Sequence, residues 1–327
     1  MGLADGYSGA MRNWRTPTAG SLVGVSFLLF AVGLWSGSFR VTAEAAGHTS
    51  AVMISALRTA PAALALLILL PVLGARLPQG RRMWFWAFVT SMLMVVLFLE
   101  GLSEGTARAG AANASVLVNT TPFFVLILGW IFLKAKTNWL GIVGLLAGFA
   151  GVVLMVSSQL GGGRDTSDFV FGMTLALLGA AGWGIGTLIV KWLIEQDPKI
   201  DLVGFTAAQF LIGAVVLLAL AFGIEGTGGT DWGSGELWIS LAYLAFLASA
   251  LAALAFFGAL RRMDATVASA FLFLVPAGAV LIEIGFGNAP NAVVLIGMAL
   301  AVAGVAVVNF APSLVGAAAG ESDSASA

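Results

Sequence analysis

The chain has 327 residues, of which 60% are hydrophobic and only 9% charged, with a formal net charge of -1 and a mean hydropathy of +1.01. Soluble domains carry about 25% charged residues, so this composition excludes a water-soluble fold, and the near-zero charge leaves no basic tract for nucleic acid. The absence of cysteine excludes disulfides, thiol nucleophiles and cysteine metal sites.

A spanning helix needs roughly 20 apolar residues. In chain order, residues 1–19 read as a cytoplasmic tail, followed by a first span over 20–39. Arg12, Arg15 and the apolar run after them imitate a leader peptide. The run continues through Trp35 to Phe39, however, and is read as a span that stays in the protein. Further spans follow at 50–73, 84–103, 111–133 and 139–158. Residues 159–169 form a Gly-rich outer linker, after which spans lie at 170–191, 202–223, 237–259, 267–286 and 292–311. Residues 312–327 read as a disordered cytoplasmic tail. The expected fold is an all-α integral membrane protein with ten transmembrane helices.

Lysine and arginine set the orientation. Arg76, Arg81, Arg82, Lys134, Lys136, Lys191, Lys199, Arg261 and Arg262 share a side with the N-terminus, whereas Arg40, Arg108 and Arg164 lie opposite. The positive-inside rule then places both termini in the cytoplasm, with the protein in the plasma (inner) membrane.

The ten spans read as five repeated twice, residues 20–158 and 170–311. ASVLVNTTP (114–122) matches ASAFLFLVP (268–276), and the segment starting at Asn138 matches that starting at Asn291. AVGLWSGSF (31–39) resembles AGWGIGTL (181–188), which sets Trp35 over Trp183, and Arg58 falls where the second copy has Gln209. Because five spans are an odd number, the second copy is inverted. Inverted repeats build transporters that alternate access to a site near the midplane.

Candidate site residues are polar or aromatic groups deep in spans. Ser115 and Asn119 share a helical stripe with Pro122, and Ser269, Phe273, Pro276 and Glu283 form its counterpart. Both stripes read as cavity walls, with Pro122 and Pro276 as helix kinks; the alternative is that the polar groups only tie helices together. Arg58 lies roughly 12 Å into its span, counting about 1.5 Å per residue. Such a buried charge needs a partner: a substrate carboxylate, or Glu100 or Glu283. Trp35, Trp183, Phe39 and Gln209 complete the expected lining. The lone His48 supports neither a metal site nor a catalytic triad.

WSGSF, the Ala-Ser…Thr-Pro-Phe of span 4, ALRRMDATVASAFLFLVP (259–276) and the Gly-rich spans 5 and 10 resemble the drug/metabolite transporter superfamily, in particular its EamA-type members. The resemblance covers residues 20–311 and implies efflux of small metabolites such as amino acids. Lys134 stands where members usually carry a glutamate, and Glu283 lies well past the middle of its span, so that family position transfers no role. The expected activity is export of hydrophobic or aromatic amino acids or similar metabolites, without catalysis or cofactor. The alternatives are export of amphipathic cations and, distantly, a membrane-embedded enzyme. Expected partners are the small-molecule substrate and the lipid bilayer, with monomer and homodimer both open.

Overall fold

The computed structural model describes residues 19–133, 139–157, 166–226, 228–285, 287 and 290–325. Side chains at 19–21, 133, 156, 166, 224, 225, 283 and 311–325 lie outside that description, as do the expectations for residues 1–18, the linker segment 158–165, Lys134, Lys136 and Arg164. Among the described residues the regular structure is all helical, without a strand. Nine helices are long and apolar enough to span a bilayer, and Trp139–Met155 is a shorter tenth. In chain order they are α1 (Leu22–Ala45), α2 (Ala51–Val72), α3 (Arg81–Ala109), α4 (Ala111–Phe132), α5 (Trp139–Met155), α6 (Ser167–Gln196), α7 (Leu202–Gly223), α8 (Gly235–Leu260), α9 (Ala265–Ile282) and α10 (Ala292–Phe310).

These helices have no polar face, because their outer sides meet hydrocarbon. Leu64 and Ile68 of α2 and Phe132 of α4 are exposed on the bundle's outer surface, which only lipid can cover without cost. Among the described residues Arg58 is the one charged side chain in the buried class.

The packing maps onto itself when the halves are exchanged. α2 packs on α7 and α5 on α10, while α1 meets α8 and α9 as α6 meets α3 and α4. The α5–α10 seam explains the glycine-rich spans. A Cβ on Gly151 would stand 2.6 Å from the Gly297 carbonyl oxygen, and one on Gly304 would stand 2.6 Å from that of Gly144. Only glycine admits this backbone approach, the small-residue packing that lets spanning helices associate in lipid.

Two elements differ from expectation at their ends. α1 extends to Ala45 because it bends at Gly37 rather than stopping at Phe39: the Tyr243 hydroxyl donates to the Leu34 carbonyl (2.6 Å) and occupies the space a Cβ on residue 37 would need. The backbone of the last helix continues to Ala325, through the segment expected to be disordered; Ala317–Ala319 favour helix there.

Candidate functional site

Several interruptions in the spans lie around one central cavity. α4 divides at Asn119 into Ala111–Val118 and Thr121–Leu133. Pro122 lacks the N–H that would bond the Val118 carbonyl four residues back, and the Thr121 hydroxyl donates to that carbonyl instead (2.8 Å). Asn119 Nδ2 donates to the Ser115 carbonyl (2.8 Å) and the Thr120 hydroxyl to that of Leu117 (2.6 Å). The polar run Asn119-Thr120-Thr121 therefore satisfies the backbone that the break exposes. α9 divides at the equivalent place, with a 3-10 turn over Phe271–Phe273 before Leu274–Gly285. Pro122 and Pro276 thus sit in the first turn of a restarted helix, where proline fits, rather than bending a continuous one.

α3 and α8 carry π-helical stretches at Met92–Leu97 and Tyr243–Leu251, at corresponding places in the two halves. Such turns occur frequently at functional sites. Here they bring Met94 and Val95 from one side and Ala248 and Ser249 from the other to the cavity wall.

The cavity and the open space at its mouth together amount to about 800 Å³. Four helices of each half line it, α1 to α4 and α6 to α9, and no described residue of α5 or α10 does. Its aromatic wall joins both halves: the Trp35 and Trp183 centroids lie 5.6 Å apart and Phe98 lies 4.6 Å from Trp183, while Phe256, 5.7 and 5.5 Å from the two indoles, supports them without lining the cavity. Phe39, Phe210 and Phe257 extend the apolar lining.

Its polar groups are few and unsatisfied by protein. Arg58 is 1% exposed; its Nε donates to Ser249 Oγ (3.1 Å), but Nη1 has no protein partner. Gln209 Nε2, Trp183 Nε1, Asn119 Oδ1 and Ser38 Oγ, all on lining residues, are likewise buried and unpartnered. An unsatisfied buried polar atom costs about 1–3 kcal/mol, so five around one void mark a place for water or a ligand. Three of the five can only donate and one, Asn119 Oδ1, can only accept, which favours a ligand rich in acceptor oxygens. Among the described residues no carboxylate lines the cavity, and none forms an ion pair with Arg58.

Of the residues singled out in the sequence, Trp35, Phe39, Arg58, Asn119, Trp183 and Gln209 come together here. Ser115, Ser269, Phe273 and Glu100 do not reach the cavity. The Ser115 and Ser269 hydroxyls turn back onto the carbonyls of Ala112 and Thr266 (2.8 and 3.0 Å). Phe273 is buried against Phe123 (6.3 Å) and over Gly148. Glu100 falls between the lining residues Leu99 and Leu102 without joining them. The stripe containing these serines assumed unbroken helices; the breaks rotate the following turn, so Leu272 and Val275 take the place expected for Phe273 and Pro276. The Glu283 side chain lies outside the described residues. Sequence reasoning missed Ser249, which carried no signal beyond being one hydroxyl in an apolar run.

The model of the EamA-like transporter family matches this chain twice, over residues 22–157 and 170–310. The chain belongs to that family. The double match coincides with the two structural halves, and the EamA-like fold is one of ten membrane helices in two inverted five-helix repeats. Similar proteins include YvbV, an uncharacterized transporter of Bacillus subtilis, 26% identical over 86% of this chain and 90% of its own. A WAT1-related chloroplastic protein of Arabidopsis thaliana is 24% identical over 94% of this chain and 72% of its own. YedA, an uncharacterized inner membrane transporter of Escherichia coli, is 26% identical over 82% and 83%. A solved crystal structure shares the fold with a TM-score of 0.73 at 17% identity, covering 90% of this chain and 99% of that one. The protein is a multi-pass membrane transporter.

Proposed function

We propose that this EamA-like transporter exports hydrophobic or aromatic amino acids, or metabolites of similar shape, by alternating access through the central cavity. The observation that carries the reading is the Arg58 guanidinium, buried beside an aromatic wall with Nη1 unpartnered. A carboxylate matches its fork, and an apolar side chain suits the indole and phenyl rings. Gln209 and Trp183 supply two further donors to the same acceptor-rich end of a substrate.

In this reading the halves rock about the α5–α10 seam, which lends no described residue to the cavity. The lysine and arginine bias argues for both termini in the cytoplasm of a plasma (inner) membrane. Every role assigned to the lining residues is binding, none catalytic and none cofactor-holding. Export of amphipathic cations is the weaker reading, because the described lining offers a fixed positive charge and no carboxylate.

The test is flux in proteoliposomes with three probes: a labelled hydrophobic amino acid, its amide, and an amphipathic cation. The amino acid is expected to exchange and the amide, lacking the carboxylate, to fail. Transport of the cation with no transport of the amino acid would overturn the assignment.

A further inference from the structure

A second pocket lies at the membrane face that carries Arg76, away from the central cavity. About 760 Å³ of space opens there between Phe27 of α1, Leu254 and Gly258 of α8, and the segment leading into α7. Its chemistry is divided. Its lining is of two kinds: the charged Lys199, Arg261 and Arg262 together with the Asp201 carboxylate, and the apolar Phe27, Leu254 and Gly258.

The acidic groups nearby are already engaged by backbone. Asp201 Oδ1 accepts from Gly204 N (3.0 Å) and Oδ2 from Arg76 N (2.7 Å), while Asp197 Oδ1 accepts from Lys199 N (3.0 Å). Arg261 donates to the Ile200 carbonyl. Arg262 Nη1 donates to the Gly258 carbonyl (2.6 Å), and its guanidinium carbon lies 5.1 Å from the Phe27 ring centre, so it joins the charged lining to the apolar one. Among the described residues no carboxylate forms an ion pair with Lys199, Arg261 or Arg262. Burial, and then the charge of Arg262, lower the proton affinity of Arg261, partly offset by Asp201 and Asp197. An anion between the cations would relieve that strain.

We propose that this pocket binds an anionic phospholipid, with its phosphate among Lys199, Arg261 and Arg262 and the start of an acyl chain along Phe27, Leu254 and Gly258. Position supports a lipid over a soluble anion. Lys199 lies three residues before the start of α7 and Arg261 immediately follows α8, so the cations stand at the level of headgroups, and the apolar lining continues from there along α8 into the span. Basic pockets between spanning helices are a recurrent way to hold such headgroups. The lipid would bridge α1 of the first half to α7 and α8 of the second.

Native mass spectrometry of the full chain in detergent tests this, titrating phosphatidylglycerol, phosphatidylcholine or inorganic phosphate. Wild type is expected to prefer phosphatidylglycerol by about tenfold or more, and each cation removed to weaken it by about fivefold. Lys199→Gln with Arg262→Gln should therefore abolish most of the preference, Arg262→Lys should keep it, and Arg81→Gln on the same face should change nothing. If the double variant melts earlier than wild type, Lys199→Gln alone, at an exposed position, reads the same loss. Equal binding of the two lipids, an unchanged double variant, or an equal effect from Arg81→Gln would overturn the site. Displacement of the lipid by millimolar inorganic phosphate would overturn the lipid and leave a soluble-anion site in its place.

Discussion

The indoles of Trp35 and Trp183 meet edge to face, with centroids 5.6 Å apart and planes at 87°, one from each half of the protein. Their sequence positions correspond, but their N–H groups do not do the same work. Trp35 Nε1 donates to the Ala248 carbonyl across the bundle (2.8 Å), whereas Trp183 Nε1 has no protein partner. Trp35→Phe should lower stability by about 1 kcal/mol, since it strands a buried carbonyl. Trp183→Phe should leave melting unchanged and weaken substrate affinity by about two- to tenfold, one hydrogen bond's worth. Melting curves alongside flux measurements separate the two; equal behaviour of the variants would remove Trp183 from the binding surface.

Arg58 separates a binding role from a structural one. Lysine keeps the charge and loses the planar fork. Arg58→Lys should fold and insert normally yet lose transport by tenfold or more. Full flux from that variant means the guanidinium does not hold substrate. Arg58→Ala should also abolish flux, with little loss of stability, because among the described residues the partner left behind is the Ser249 hydroxyl rather than a buried carboxylate.

The break in α4 offers a double-mutant test. Thr121→Val removes the donor to the Val118 carbonyl and should cost about 1–3 kcal/mol. Pro122→Ala restores a backbone N–H able to reach the same carbonyl. The double variant should therefore recover most of the lost stability while losing flux, because the cavity wall around Asn119 straightens. Additive losses from the two substitutions would show that the Thr121 hydroxyl serves chiefly the Ala180 carbonyl of α6, which it also meets at 3.2 Å.

How much of this was legible in the sequence follows from what each feature depends on. Span ends were legible because hydrocarbon thickness acts on each helix separately: α2, expected at 50–73, is Ala51–Val72. An irregularity in α4 was legible as well, from asparagine, two threonines and a proline in an apolar run, but as a kink at Pro122 rather than the division found at Asn119. The phase beyond the break was not, because periodicity holds only within a continuous helix, which is why Phe273 was expected at the cavity and packs instead over Gly148. Ser249 was invisible for a different reason. Its importance comes from Arg58 on another helix, and nothing local to residue 249 encodes that.

The α5–α10 seam should tolerate no side chain. A Cβ on Gly151 meets the backbone of Gly297 and Ala301, neither of which can swing aside. Gly151→Val should destabilise by about 1–3 kcal/mol or more, the range for overpacking. Gly223→Ala, where a Cβ meets nothing within 4 Å, should have no effect on the melting temperature. Thermal melts in one detergent compare them directly.

Arg58 and Gln209 hold matching places in the two halves and face the same void. Two identical five-helix chains packed in the same way would have to repeat whichever residue stood there. A pair of arginines would crowd two like charges into one apolar space, and a pair of glutamines would leave it with no charge at all. Carrying both copies in one polypeptide frees the pair to diverge, so among the described lining residues the cavity holds a single fixed cation, contributed by the first half alone. A molecule bound there meets two chemically distinct ends and can be gripped in one direction only, a polarity that a symmetric assembly of the same shape could not impose.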